Sequence, residues 1–306
     1  MTKLLITGAS GLLGSNLALS ALESGYDVTG WTNTLDLPHA PFQTSQVDLT
    51  ASDQISERIA EVRPDVIIHC AALANVDTAE KNGALAYRLN AEAPAAIAAA
   101  AARQGIRLIH ISTDAVFDGT KGDYTESDMP HPLNTYAHSK LKGEEAVAEL
   151  NPDALIARVV FYGWSIVGKR SLAEFFYNHL TMEQTVMGFT DMIFTPLYVG
   201  HLAEILLKLA AGNQHGLFHV FGAQPISKYA FGVEIAREFD LDETLVSPTE
   251  SADVGLAAAR PLNLSMRSDK LCEALGLDLP SGPDGIRALK LAWQEGLREK
   301  LAAWSA

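Results

Sequence analysis

Two rhythms of apolar positions alternate through the first 160 residues. Short apolar runs at Lys3–Thr7, Val28–Trp31, Asp65–Cys70 and Arg107–Ser112 have strand character. Between them, apolar residues recur at helical spacing over Ser15–Glu23, Ser52–Glu61 and Asn82–Gln104, and again from Tyr136 onward. The run Asp65–Cys70 reads as continuously apolar, as expected for a strand of a parallel sheet covered on both faces. Strand–helix alternation of this kind predicts an α/β fold with a doubly wound parallel sheet, of Rossmann type. Beyond Val160 the alternation loosens. Helices are expected at Arg170–Thr181, from Val199 to Ala211, at Ser227–Phe239 and at Gly285–Trp304, and Gly216–Phe221 reads as a strand returning to the main sheet. The expected division is one domain over 1–160 plus about 190–222, and a smaller carboxyl-terminal α/β lobe over about 161–189 and 223–306.

The chain of 306 residues carries a net charge of −14, which argues against nucleic acid or an anionic membrane as partner. No apolar run reaches membrane-spanning length. The strand pattern begins at Lys3, so no leader peptide is expected. Cys70 and Cys272 have no metal-ligand spacing and are too few for a disulfide framework, which points to a reduced, cytoplasmic setting.

The first strand ends in Thr7-Gly8-Ala-Ser-Gly11-Leu-Leu-Gly14 and runs into a helix. Strand, glycine turn and helix form the setting of a dinucleotide fingerprint, here spaced Gly-x-x-Gly-x-x-Gly. The first glycine permits the tight turn, the second lets backbone approach a pyrophosphate, and the third lets helix and strand pack closely. Helix-terminal N–H groups then face the phosphates. The second strand ends in Trp31-Thr32-Asn33-Thr34, without the carboxylate that would select NAD. Thr32, Asn33 and Thr34 could donate to a 2′-phosphate, so NADPH is favoured over NADH. Asp48 could cap the local turn or bond an adenine amino group. Small residues at Ala71 and Ala72 would let a cofactor lie against the backbone.

Ligands of such sheets sit beyond the carboxyl ends of the strands. Ser112-Thr113-Asp114 lies at one of those ends. Tyr136 and Lys140 follow on one face of a helix, four residues apart. A phenol titrates near 10, and a nearby ammonium lowers that value. The pair can then serve as a general acid–base, with the Thr113 hydroxyl holding a carbonyl oxygen.

With its glycine turn, His69-Cys-Ala-Ala72, Val76-Asp-Thr-Ala-Glu80, Leu89-Asn90, Ile111-Ser-Thr-Asp-Ala-Val-Phe-Asp-Gly119, Pro132-Leu-Asn-Thr-Tyr136 with Lys140, and Arg260-Pro-Leu-Asn263, the chain resembles the extended short-chain dehydrogenase/reductases. It is most similar to their dTDP-4-dehydrorhamnose reductase-like group. That resemblance implies reduction of a 4-keto group on a nucleotide-linked deoxysugar by NADPH or NADH, with Thr113, Tyr136 and Lys140 catalytic. It places Gly8, Gly11, Leu12, Leu13 and Gly14 on the cofactor diphosphate, and Asp48 and Leu49 beside the adenine. Cys70, Ala71, Ala72 and Asn90 fall along the rest of the cofactor. The carboxyl-terminal lobe would bind the sugar nucleotide, with Asp114, Ala115 and Arg260 as substrate contacts. Trp164 would either touch the sugar or fill the lobe's core.

Two departures stand out. The family's tyrosine after Thr-Asp is Ala115 here, which leaves the sugar open. It also disfavours a 4,6-dehydratase, which would need a glutamate there. Ser15 replaces an acidic residue that some relatives use for magnesium, so no metal is expected. A homodimer is possible. An epimerase, and a non-catalytic NADP-binding subunit resembling the methionine adenosyltransferase β subunit, are the alternatives.

Overall fold

A computed structural model describes residues 1–255 and 258–306. In chain order the first half contains β1 (Lys3–Thr7), α1 (Leu12–Glu23), β2 (Asp27–Thr32), β3 (Gln43–Gln46), α2 (Ile55–Val62) and β4 (Val66–His69). It continues through α3 (Val76–Lys81), α4 (Gly83–Tyr87), α5 (Ala93–Gln104), β5 (Arg107–Thr113), α6 (Thr135–Leu150) and β6 (Leu155–Val159). The second half has β7 (Phe161–Tyr162), α7 (Leu172–Leu180), β8 (Val186–Phe189), β9 (Ile193–Phe194), β10 (Leu197–Tyr198), α8 (Val199–Ala211) and β11 (Gly216–Val220). After these come β12 (Ile226–Ser227), α9 (Lys228–Glu238), β13 (Val246–Thr249), β14 (Asn263–Leu264), α10 (Asp269–Leu275), α11 (Gly282–Gln294) and α12 (Leu297–Ala302).

Seven strands form one parallel sheet in the order β11-β6-β5-β4-β1-β2-β3. The chain builds outward from β1 in one direction, then returns through β4 in the other. The switch lies between β1 and β4, where an open α/β sheet presents its ligand crevice. Alternate side chains of each strand enter separate cores. Leu4, Ile6, Ile109 and Ile111 meet α1 and α8 through Leu17, Leu202 and Leu206. Leu5, Ile67 and Leu108 meet α2, α5 and α6 through Ile59, Ile97 and Val147. Smaller sheets organise the second half: β8 pairs with β13, β7 with β10, and β9 lies between β12 and β14.

The structure departs from the sequence pattern at four places. β3 is a polar edge strand, Gln-Thr-Ser-Gln, held only by pairing with β2, so no apolar rhythm marks it. β6 is wholly buried, but Arg158 interrupts its apolar run. The helix expected over 82–104 has a π-helical segment at Arg88–Glu92. The helix expected over 285–304 is divided at Gly296, whose φ of 75° places it in the left-handed region.

Candidate active site

The turn after β1 is built from close backbone approaches. Gly8 has φ +69°, and a Cβ there would lie 2.8 Å from the backbone of Ala71. A Cβ on Gly14 would lie 2.2 Å from the Gly8 carbonyl oxygen. Turn, helix α1 and the segment after β4 are therefore packed backbone to backbone, as the pyrophosphate cradle requires. Thr7 Oγ1 is 2.6 Å from His69 Nδ1 and accepts from the Ala71 N–H, which ties the two crevice walls together.

Two cavities meet over this turn, and both are lined by Gly8, Gly11, Cys70, Ala72 and Arg170. The first, ≈ 290 Å³, extends over Thr32, Asn33, Thr34, Leu49 and Ala71 toward the β2 end. The second, ≈ 420 Å³, extends over Leu12, Leu13, Gly14, Thr113, Tyr136 and Lys140 toward the β5 end. Together they make one groove across the switch point. A nicotinamide dinucleotide fits it on two grounds: the glycine cradle, and the buried Thr32 hydroxyl, which has no hydrogen-bond partner among the described residues. Cys70 sits in the groove as a thiol, pushed up to about 12 by burial.

At the β5 end, Thr113, Asp114, Tyr136 and Lys140 line one wall. Asn134 caps α6 by accepting from the Ala137 N–H at 3.0 Å, and so fixes where the helix begins. Lys140 Nζ donates to the Ile111 carbonyl at 2.7 Å. Burial lowers Lys140 to about 8, while the charge of Glu144 opposes the drop. The Tyr136 phenol corrects the sequence expectation. Burial pushes it up to about 12, the Asp114 charge adds to the rise, and only the Thr113 hydroxyl pulls the other way. Desolvation outweighs the Thr113 hydrogen bond, so the phenol is held protonated. Asp114 is raised to about 6 by burial, against a 3.1 Å hydrogen bond donated by Thr113 Oγ1. Thr113 Oγ1 also accepts from the Ala115 N–H at 3.2 Å.

Five candidate residues fall elsewhere. Asp48 is exposed, and its Oδ1 accepts from Thr50 N at 2.9 Å and Thr50 Oγ1 at 2.8 Å, so it closes the local turn. Asn90 is buried behind the groove wall. It accepts from Leu73 N at 2.8 Å and donates to Leu73 O and Ser139 Oγ, which holds the wall without facing the cavity. Trp164 is completely buried, and its indole N–H donates to Leu289 O at 3.0 Å; it fills the core. Arg260 pairs with Asp77 at 3.0 Å and does not line the cavity. Ala115 lies in the turn after β5, also outside the lining. Sequence reasoning missed Arg170, which lines both cavities. Its signal was the basic run Lys169-Arg170 just before the α7 cap.

An all-parallel sheet, a glycine turn at its switch point and a Thr–Tyr–Lys wall define a nucleotide-binding protein of the extended short-chain dehydrogenase/reductase class. Comparison with known proteins sharpens this: a model described as the RmlD substrate binding domain matches residues 1–291, and the chain belongs to that family. It is 36% identical over 297 residues to a Haloferax volcanii protein named a probable low-salt glycan biosynthesis reductase, covering 95% of this chain and 98% of that one. It is 34% identical over 308 residues to a dTDP-4-dehydrorhamnose reductase of Aggregatibacter actinomycetemcomitans, with coverage of 95% and 98%. Among solved structures, the dTDP-4-dehydrorhamnose reductase of Bacillus anthracis in complex with NADP superposes with TM-score 0.85 at 30% identity, covering 95% of this chain and 99% of that one.

Proposed function

We propose that the protein is an NAD(P)H-dependent oxidoreductase that reduces a 4-keto group on a nucleotide-linked deoxysugar, with NADPH preferred. The observation that carries this reading is the shared wall of Thr113, Tyr136 and Lys140 in a groove continuous with the glycine turn. Support also comes from the reductases to which the chain is similar. The reduced nicotinamide supplies hydride when bound. Thr113 is suited to orient the substrate carbonyl, with its hydroxyl at the end of β5. Tyr136, protonated at neutral pH, delivers its proton to the carbonyl oxygen as the bond at carbon forms. Lys140 presents an ammonium to the cofactor ribose. Gly8, Gly11 and Gly14 leave room for the diphosphate, and Thr32, Asn33 and Arg170 offer donors near the adenosine end. Holding both reactants in one groove contributes rate by orientation. The cytoplasm, which supplies NADPH and nucleotide sugars together, suits this reaction.

The test is NADPH oxidation by the purified protein with a dTDP-4-keto-6-deoxy sugar, followed at 340 nm. Turnover that vanishes in Tyr136→Phe supports the reading. Tight NADPH binding without turnover of any nucleotide sugar would replace it with the regulatory-subunit alternative.

A further inference from the structure

Under α6 the central sheet buries polar side chains where a covered parallel sheet is ordinarily apolar. Strand register pairs Thr7 with His69, His69 with His110, Ser112 with Arg158 and Arg158 with His219, and all six are buried. The helix answers with a stripe of its own at every fourth position: Tyr136, Lys140 and Glu144. The first two belong to the reaction. Glu144 does not reach the cavity, yet it is the most heavily bonded carboxylate in the sheet's interior. It accepts from Ser112 Oγ at 2.5 Å, from Arg158 Nε at 2.9 and 3.2 Å, and from Arg158 Nη2 at 2.7 Å. Glu144 is 5% exposed and Arg158 2%.

An apolar helix face tolerates sliding and rolling on its sheet; a bidentate charged pair does not. Next to Glu144, Gly143 sits so close to the Asn90 carbonyl that a Cβ would come within 2.1 Å of it. Ser112, which holds one carboxylate oxygen, immediately precedes Thr113. The carboxylate thus links the helix that carries two reaction groups to the strand end that carries the third.

We propose that Glu144 is a positioning residue, which sets the height and roll of α6 so that Tyr136 and Lys140 meet Thr113, and whose negative charge sustains the Lys140 ammonium.

The charge arm is specific because the other groups around Lys140 do little, and because Arg158, the buried guanidinium that partly offsets Glu144, is present in the wild type and in both variants. His69 on β4 and His110 on β5 are buried and held neutral, Cys70 is a protonated thiol, and Tyr136 is a protonated phenol. Asp114, in the turn after β5, raises Tyr136. Glu144 is the first of the charges supporting Lys140 against desolvation.

The turnover arm of the test rests on the reductase reading; the cofactor arm does not. Glu144→Gln keeps the reach and removes the charge. NADPH affinity, followed by cofactor fluorescence between pH 6 and 10, should lose its alkaline limb about one unit earlier than in the wild type, and kcat should fall about tenfold. Glu144→Asp keeps the charge and shortens the reach, so the limb should stay while kcat falls about tenfold. An unmoved limb in the Gln variant, or wild-type kcat in the Asp variant, overturns the proposal. If the Gln variant does not fold, the Asp variant decides, and wild-type NADPH affinity together with wild-type kcat refutes it. A wild-type protein that binds NADPH but reduces no nucleotide sugar sinks the reductase reading alone, and the affinity profiles still judge Glu144.

Discussion

The ammonium of Lys140 is bonded to the main-chain carbonyl of Ile111, 2.7 Å away, at a site where the lysine is only 2% exposed. Unfolded, this lysine titrates at its ordinary 10.5; folded, burial brings it to about 8. Between those values the folded chain binds fewer protons than the unfolded one. The group's contribution to stability is therefore present above pH 10.5 and lost as pH falls through 8. At pH 7 the buried charge is a burden. Lys140→Met is expected to abolish turnover while raising the melting temperature at pH 7 by about 3 °C, read by calorimetry.

Tyr136→Phe should lower kcat by about 10²- to 10⁴-fold and leave NADPH affinity within about twofold, because the variant removes only the proton donor. The phenol, raised to about 12, should show no ionisation below pH 11 in a difference spectrum between wild type and variant. Ionisation near pH 7 would contradict its role as an acid held ready.

The proposed preference for NADPH is tested at the end of β2. Asn33 lines the groove beside the unpartnered Thr32 hydroxyl. Asn33→Asp places a carboxylate where NAD-selective proteins carry one. KM for NADPH should rise about tenfold or more and KM for NADH should change little. Arg170→Ala should raise KM for NADPH with kcat unaffected.

Trp164→Phe separates core from substrate roles. The change removes the indole hydrogen bond to the buried Leu289 carbonyl and part of the packed ring, so stability should fall by about 1–3 kcal/mol in urea titration. KM for the sugar nucleotide should not move. A several-fold rise in that KM, with the fold intact, would return Trp164 to the substrate pocket.

Much of the nucleotide-binding half could be read directly. Its strands are apolar runs and its glycines sit where backbone touches backbone, so periodicity and spacing carried the information. The glycine turn, Thr113, Tyr136 and Lys140 all reached the groove for that reason. Asp48, Asn90 and Arg260 did not, because a polar residue can be satisfied by a turn, a loop or an ion pair as readily as by a ligand, and sequence does not say which. The buried row under α6 was invisible for a related reason. His69, His110 and Arg158 interrupt apolar strands, and their partners lie up to 62 positions away in the chain, as Thr7 and His69 show by register and Glu144 and Arg158 by hydrogen bonds. The second half is organised by two- and three-stranded sheets too short to leave a rhythm.

The pairing of β11 with β6 has a consequence for how the chain is made and cut. A polypeptide ending near residue 160 would carry every glycine of the cradle, yet Leu155–Val159, apolar but for Arg158, would be left as a bare margin ready to recruit other chains. During synthesis that margin stays open until Val220 has emerged. Truncation to isolate the cofactor half should therefore yield aggregates, and soluble fragments should begin only once the seventh strand is included.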